Sequence, residues 1–307
     1  MENIITGPKM RFFKNEILNI PFENDGFVKF KLLNANQVDD LKAFYYNNVD
    51  EKQSKLKESG FHTTSNTGDN ILLNEVDLFI KSILLPALED ILENVTFTIS
   101  NFLVKEPNPN SIVPPHQDWL LVDESKYASF NIWICLNEAN NQTGELKFIP
   151  GSHLLSNSHR ANGMPRFFDG ISKQLNPFFK YIPTKPGDCV IFNHSIIHAS
   201  DNNKSEKKRL SCVLGGFSKD ADLLFYLPDR EKNGYLRKFH IQPSTLLNMG
   251  ENYEPIIDVT LLEKVNGKFE NWTYNEFIYQ LKKKYPSTKL SFVDRIKLMF
   301  YQPKQST

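Results

Sequence analysis

Cysteine is scarce in this 307-residue sequence, with Cys135, Cys189 and Cys212 forming no close pair. A disulfide scaffold or a thiolate metal knot needs paired cysteines, so the expectation is buried free thiols in a reducing compartment. Long apolar runs are also missing: no stretch approaches the roughly 18 residues of a spanning helix. The opening residues lack a basic segment followed by an apolar run, so the reading is cytoplasmic, without membrane partners. Charge of one sign is not in excess either, with 36 basic against 36 acidic residues. No global field therefore favours nucleic acid, although a local patch stays possible. Phenylalanine is the abundant entry, at 24 residues.

The chain is expected to form one catalytic domain over 1–307. Its first part, 1–93, reads as a helical flank. Ala35, Val38, Leu41 and Phe44 keep a helical period behind a cap at Asn34 or Asn36. A polar loop over 59–70, holding a solvated His62, leads to a second helix from Asn74 to Glu93, kinked or divided at Pro86. The period then changes to two. Asn94 to Val104 and Tyr127 to Leu136 read as strands, the latter with Phe130, Ile132, Ile134 and Leu136 on one face. Short strands follow around Glu145 to Ile149, Tyr181-Ile182, Asp188 to Asn193, His198 to Ser200 and Arg209 to Phe217. Many short strands between turns predict a closed or double-sheet β core over 94–219. An aperiodic insert, 154–180, is expected to run over the surface. Beyond it, 220–307 reads as an irregular extension ending in helices over 273–284 and 290–301. From Thr273 onward there are seven Lys/Arg against two Asp/Glu, a net of +5.

Chemistry enters at Pro114-Pro115-His116-Gln117-Asp118-Trp119. On an extended strand His116 and Asp118 share a face while Gln117 points away. An imidazole beside a carboxylate makes two thirds of a site suited to Fe(II). A third ligand is offered by His194 or His198. Two histidines four apart also occur in zinc hydrolases, but here the preceding residues read as strand and the general-base Glu is absent. Arg209 lies eleven residues after His198, across a polar turn, and arginine holds a carboxylate with two parallel hydrogen bonds. His194 is expected to be structural, and His153 and Asp188 to be turn residues.

These residues, with Trp133, Gly144-Glu145-Leu146, Ile149-Pro150-Gly151-Ser152-His153, Pro186-Gly187-Asp188 and His198-Ala199-Ser200, resemble the phytanoyl-CoA dioxygenase family of Fe(II)/2-oxoglutarate oxygenases. The resemblance spans roughly Ser100 to Phe217, with Thr143 where relatives often carry Asn or Asp. It implies a mainly β fold with flanking helices (α+β) around a double-stranded β-helix, the jelly-roll or cupin-like core. It also implies His116, Asp118 and His198 as iron ligands, and Arg209 binding 2-oxoglutarate with help from Ser200. Trp133 would line the cosubstrate pocket. With O₂, such a site hydroxylates a small organic substrate and releases succinate and CO₂. Related halogenases replace the carboxylate ligand, so an intact Asp118 favours hydroxylation, while epimerisation, desaturation or ring closure stay open. A non-catalytic metal-binding sensor is the alternative from another class. His159, Arg160 and Arg166 in the insert are the candidate substrate contacts, and a homodimer is a possible assembly.

Overall fold

The computed structural model describes residues 11–156, 158–249, 259–267 and 269–303. Thirteen strands can be followed among them: β1 Phe27–Lys31, β2 Phe61–Thr63, β3 Val95–Lys105, β4 Val113–His116, β5 Ser129–Cys135, β6 Leu146–Phe148, β7 Lys180–Ile182, β8 Asp188–Asn193, β9 His198–Ser200, β10 Arg209–Ser218, β11 Leu224–Pro228, β12 Tyr235–Ile241 and β13 Val259–Asn266. A six-stranded antiparallel sheet runs β1-β8-β5-β10-β3-β2 and a four-stranded one runs β4-β9-β6-β7. This two-sheet antiparallel core with flanking helices is the jelly-roll arrangement expected.

The alternation of β5 explains how the large sheet serves two cores. Phe130, Ile132 and Ile134 point outward, into a cluster with Leu41, Tyr45, Val76 and Ile80 of the helices α2 (Ala35–Asn48) and α3 (Asn70–Leu88). Trp133 and Cys135 point inward, beside Phe148 of the small sheet and Phe192 of β8. Ring centroids of Phe12 and Phe22 lie 4.7 and 6.1 Å from that of the fully buried Phe130. Truncating such a phenylalanine to alanine costs about 3–5 kcal/mol. All three cysteines are buried and free, as expected.

Several boundaries differ from the sequence reading. The cap of α2 is Asn34, which forms a reciprocal capping box with Gln37. Helix α3 begins four residues early because the Asp69 carboxylate accepts from the amides of Ile71 and Leu72, and Pro86 sits in its last turn. The flank before residue 94 is not purely helical. After helix α1 (Glu16–Asp25), Gly26 turns the chain at φ 85° into β1, which pairs with β8. Within the supposed 59–70 loop, β2 pairs with β3. His62 is consequently buried, with Nε2 3.2 Å from Glu106 Oε1. The surface reading was misled because three residues are too few to display a period.

The insert is also not a surface excursion. Its segment Asp169–Phe178 coils as a 3₁₀ helix, a form whose period of three escapes a search at 3.6 or 2. Phe167, Phe168, Ile171 and Leu175 are buried against Phe277, Ile278 and Leu281 of helix α4 (Tyr274–Lys284). The extension thus buttresses the insert, and helix α5 (Phe292–Met299) follows. The stretch from 220 that reads as irregular contains β11 and β12, which join β13 in a third sheet. Residues 250–258 of that stretch lie outside those described, as do residues 1–10 of the flank.

Candidate metal centre and its pocket

Strand pairing brings the expected ligands together. β4 and β9 run antiparallel with His116 directly opposite His198, and their ring centroids are 4.0 Å apart. Asp118 closes the group: Oδ1 lies 3.8 Å from His116 Nε2, and Oδ2 lies 3.8 Å from His198 Nε2. One ligand atom from each residue falls within 4.8 Å of the others. Among the described residues no other trio of His, Cys, Asp or Glu is gathered in this way.

The tautomers follow from the backbone. His116 Nδ1 is 2.9 Å from the Pro114 carbonyl, and His198 Nδ1 is 3.0 Å from that of Ile196. A carbonyl only accepts, so each Nδ1 carries the proton and each Nε2 keeps a lone pair free for a metal in the space shared with Asp118. Burial, reinforced by neighbouring His198, pushes the His116 pKa down to about 3, which keeps the ring neutral as ligation requires. For Asp118, burial resists ionisation. The surrounding His198, His194, His116 and Arg160 outweigh it and hold the carboxyl below its usual range. Two imidazole nitrogens and one carboxylate, converging on a common space, fit a divalent transition metal.

Asp118 is fixed on every side. Its Oδ2 accepts from Asn131 Nδ2 at 2.8 Å, its amide donates to the His194 carbonyl at 2.9 Å, and its carbonyl accepts from Arg160 Nε at 2.8 Å. Gln117 points away, as expected, and donates to the Ser195 carbonyl. His194 is structural: it is buried, with Nδ1 2.9 Å from Ser129 Oγ.

The ligands open into a cavity of about 230 Å³ whose wall includes Asn131, Trp133, Phe192, Ser200 and Arg209. Arg209 opens β10 and is 2% exposed. Its Nη1 donates to the Gly144 carbonyl, and its guanidinium lies 5.6 Å from the Trp133 ring. No carboxylate pairs with it, and its Nε has no hydrogen-bond partner. Burial alone pulls its pKa down to about 10. The Trp133 indole N–H is also unpartnered. Gly144 is needed for this contact. It turns at φ 77°, where a Cβ would stand 2.2 Å from the Asp201 carbonyl.

The three insert residues separate. Arg160 is 6% exposed, and its Nη atoms bind Glu124 at 2.6 and 2.9 Å. These bonds make it a strut between the insert and the backbone at Asp118. The His159 ring faces that of Tyr226, with centroids 5.3 Å apart. Arg166 lies beside the ligand strand: its Nη1 donates to the Pro115 carbonyl at 3.4 Å, next to His116. His153 is more than a turn residue, because it is buried and its Nε2 donates to the Glu23 carbonyl at 3.0 Å. Asp188 is turn chemistry, accepting from the Lys185 amide at 2.9 Å.

Sequence reasoning overlooked Asn131 and the cavity residues Phe61 and Thr63. A signal for Asn131 existed, since it alternates with Trp133 on the face opposite Phe130 and Ile132. For Phe61 and Thr63 there was none.

The comparisons with known proteins agree with this architecture. A model of the phytanoyl-CoA dioxygenase family matches residues 22–211. The phytanoyl-CoA dioxygenase domain-containing protein 1 of Bos taurus is 31% identical over 118 residues, or 36% of this chain and 40% of that protein. Its homolog in Caenorhabditis elegans is 29% identical over 122 residues, covering 36% and 42%. The match thus spans about two fifths of the length of these relatives. The non-heme alpha ketoglutarate dependent carbocyclase SnoK from nogalamycin biosynthesis superposes with a TM-score of 0.50 at 21% identity, over 68% of this chain and 86% of that one. The epimerase SnoN, in complex with Fe3+, alpha ketoglutarate and nogalamycin RO, also reaches 0.50, at 16% identity over 81% and 95%. At such identities these two structures speak for the fold. The family match covers more than half of the sequence, and the chain belongs to the phytanoyl-CoA dioxygenase family.

Proposed function

We propose that this chain is an Fe(II)/2-oxoglutarate-dependent oxygenase that hydroxylates a C–H bond of a small organic substrate. The carrying observation is Arg209, a buried guanidinium without a carboxylate, in the wall of the cavity that holds His116, Asp118 and His198. Leaving a charge buried and unpaired costs several kcal/mol, so such a group points to an anionic ligand. A keto acid has the matching chemistry: oxygen donors at one end for a metal, and a carboxylate at the other for a cation.

Iron, 2-oxoglutarate and O₂ supply oxidative decarboxylation of the keto acid to succinate and CO₂, coupled to oxidation of a substrate carbon. His116, Asp118 and His198 would hold the ion, and Asn131 keeps the Asp118 carboxylate turned toward both histidines. Arg209 would bind the far carboxylate through charge-assisted hydrogen bonds, fixing one orientation of the cosubstrate. Ser200 Oγ would add a donor, and Trp133 an aromatic wall. Leu103, Leu146 and Phe192 line the same cavity with carbon and limit water. Arg166, beside Pro115, would meet the substrate.

Anaerobic addition of Fe(II) and 2-oxoglutarate is expected to produce the weak visible charge-transfer band of a keto-acid chelate, which His116→Ala should abolish. A wild-type protein that binds iron yet shows neither the band nor thermal stabilisation by 2-oxoglutarate would refute the enzyme reading. Across a metabolite panel, succinate above the uncoupled background identifies the substrate. A product that gains one oxygen atom supports hydroxylation, whereas an unchanged or hydrogen-poor product points to epimerisation, ring closure or desaturation.

A further inference from the structure

Helix α5 is amphipathic in an inverted sense. Its inner side is held by Asp294, buried and accepting from the Tyr274 hydroxyl at 3.1 Å, and by the partly buried Leu298. Its outer side carries Phe292, Val293, Ile296, Met299 and Phe300, exposed at 77, 58, 40, 78 and 83%. At about 100° per residue, these five fall within an arc of about 120°. Arg295 and Lys297 lie just beyond its two edges. Lys282, Lys283 and Lys284 at the end of α4, and Lys289 in the connection, are also exposed. Against these six cations, residues 282–297 hold a single carboxylate, that of the buried Asp294. In a chain of zero net charge, this concentration is local.

We propose that this C-terminal helical hairpin docks on an anionic lipid surface, with the apolar arc of α5 seated at the boundary between headgroups and acyl chains. An exposed apolar stripe with a basic rim is the pattern of an interfacial helix. Each cation near an anionic leaflet adds to the attraction. A second copy of the chain is the poorer occupant. Eight residues make a cylinder about 12 Å long, which offers far less than the roughly 800 Å² per partner of a stable dimer. A symmetric contact would also set Arg295 and Lys297 against their own like charges. No helix among the described residues is long and apolar enough to cross a membrane, so the contact is peripheral. The inference does not depend on the oxygenase reading.

The test is flotation of the full chain with phosphatidylcholine vesicles, and with the same vesicles carrying about 30% phosphatidylglycerol, to supply the negative surface potential. Partitioning should be about tenfold stronger on the anionic vesicles and should weaken with salt. Phe292→Ser with Phe300→Ser, and separately Arg295→Glu, should each lower it about tenfold while leaving the melting temperature at the wild-type value. Equal partitioning on both vesicle types, or full binding by the serine variant, would overturn the proposal. A concentration-dependent dimer in light scattering that Phe292→Ser dissolves would also overturn it, by assigning the face to self-association.

Discussion

Two regions of the candidate site each bury an arginine and treat it differently. Around Arg160 each guanidinium nitrogen has a partner: Glu124 takes both Nη atoms and the Asp118 carbonyl takes Nε. Around Arg209 the guanidinium donates to one carbonyl and lies over an aromatic ring, no carboxylate pairs with it, and Nε has no partner. The first arrangement is complete within the protein, so its contribution is structural. The second is complete only with an anion, so its cost in the free protein becomes binding energy when the anion arrives.

Arg209→Leu should break the comparison most visibly. Removing one partner of a buried charge pair costs about 2–5 kcal/mol, so the apparent affinity for 2-oxoglutarate should fall about 100-fold. The melting temperature of the free protein should stay level or rise, since an uncompensated charge has been removed. Titrations that show unchanged affinity would remove Arg209 from the cosubstrate site. Arg160→Leu should do the reverse. It strands the half-buried Glu124 carboxylate and is expected to destabilise the fold by about 3 kcal/mol in denaturant unfolding. The Michaelis constant for 2-oxoglutarate should move little. If Arg160→Leu instead raised only the substrate constant, the insert would contact substrate through Arg160 after all. Asn131→Ala sharpens the contrast at the ligand itself, and iron affinity by titration is expected to drop about tenfold.

The difference between the arginines was only half legible beforehand. Arg209 could be linked to His198 because only a polar turn separates them. The two do not lie on adjacent strands, however: β9 belongs to the small sheet and β10 to the large one, and both face the same cavity. Opposite placement of His116 and His198 comes from the pairing of β4 with β9, strands far apart in the chain whose register shifts between Val113 and His116. Arg160 finds Glu124 across 36 residues that include strands β5 and β6, and no local pattern announces such a partner. The buried Phe167 and Phe168 were missed for a related reason: their core is completed by Phe277 and Leu281, a hundred residues downstream. Period-two strands in the middle of the chain were readable because each buries a face by itself. Short edge strands such as β2, and segments coiled at a period of three, take their burial from elsewhere.

A third buried ionic group tests the same distinction with pH. His62 Nε2 lies 3.2 Å and Lys208 Nζ 3.7 Å from the same Glu106 oxygen. Burial resists the charge on Glu106, but the hydrogen bond to His62 and the charge of Lys208 outweigh it, holding the carboxyl below its ordinary 4.5. Like Arg160, this group is satisfied within the fold, so it contributes stability and no ligand site. A lowered folded pKa means that the contribution is complete above the ordinary value and fades as pH falls through the folded one. Glu106→Gln should therefore melt below the wild type at about pH 6 and converge with it on acidification, an effect smaller than that of Arg160→Leu because Glu106 is a single partner in a shared network. A gap that stayed constant from neutral to acid would mean that the Glu106 carboxyl is already protonated in the folded protein, and His62 would then be held by packing instead of by charge.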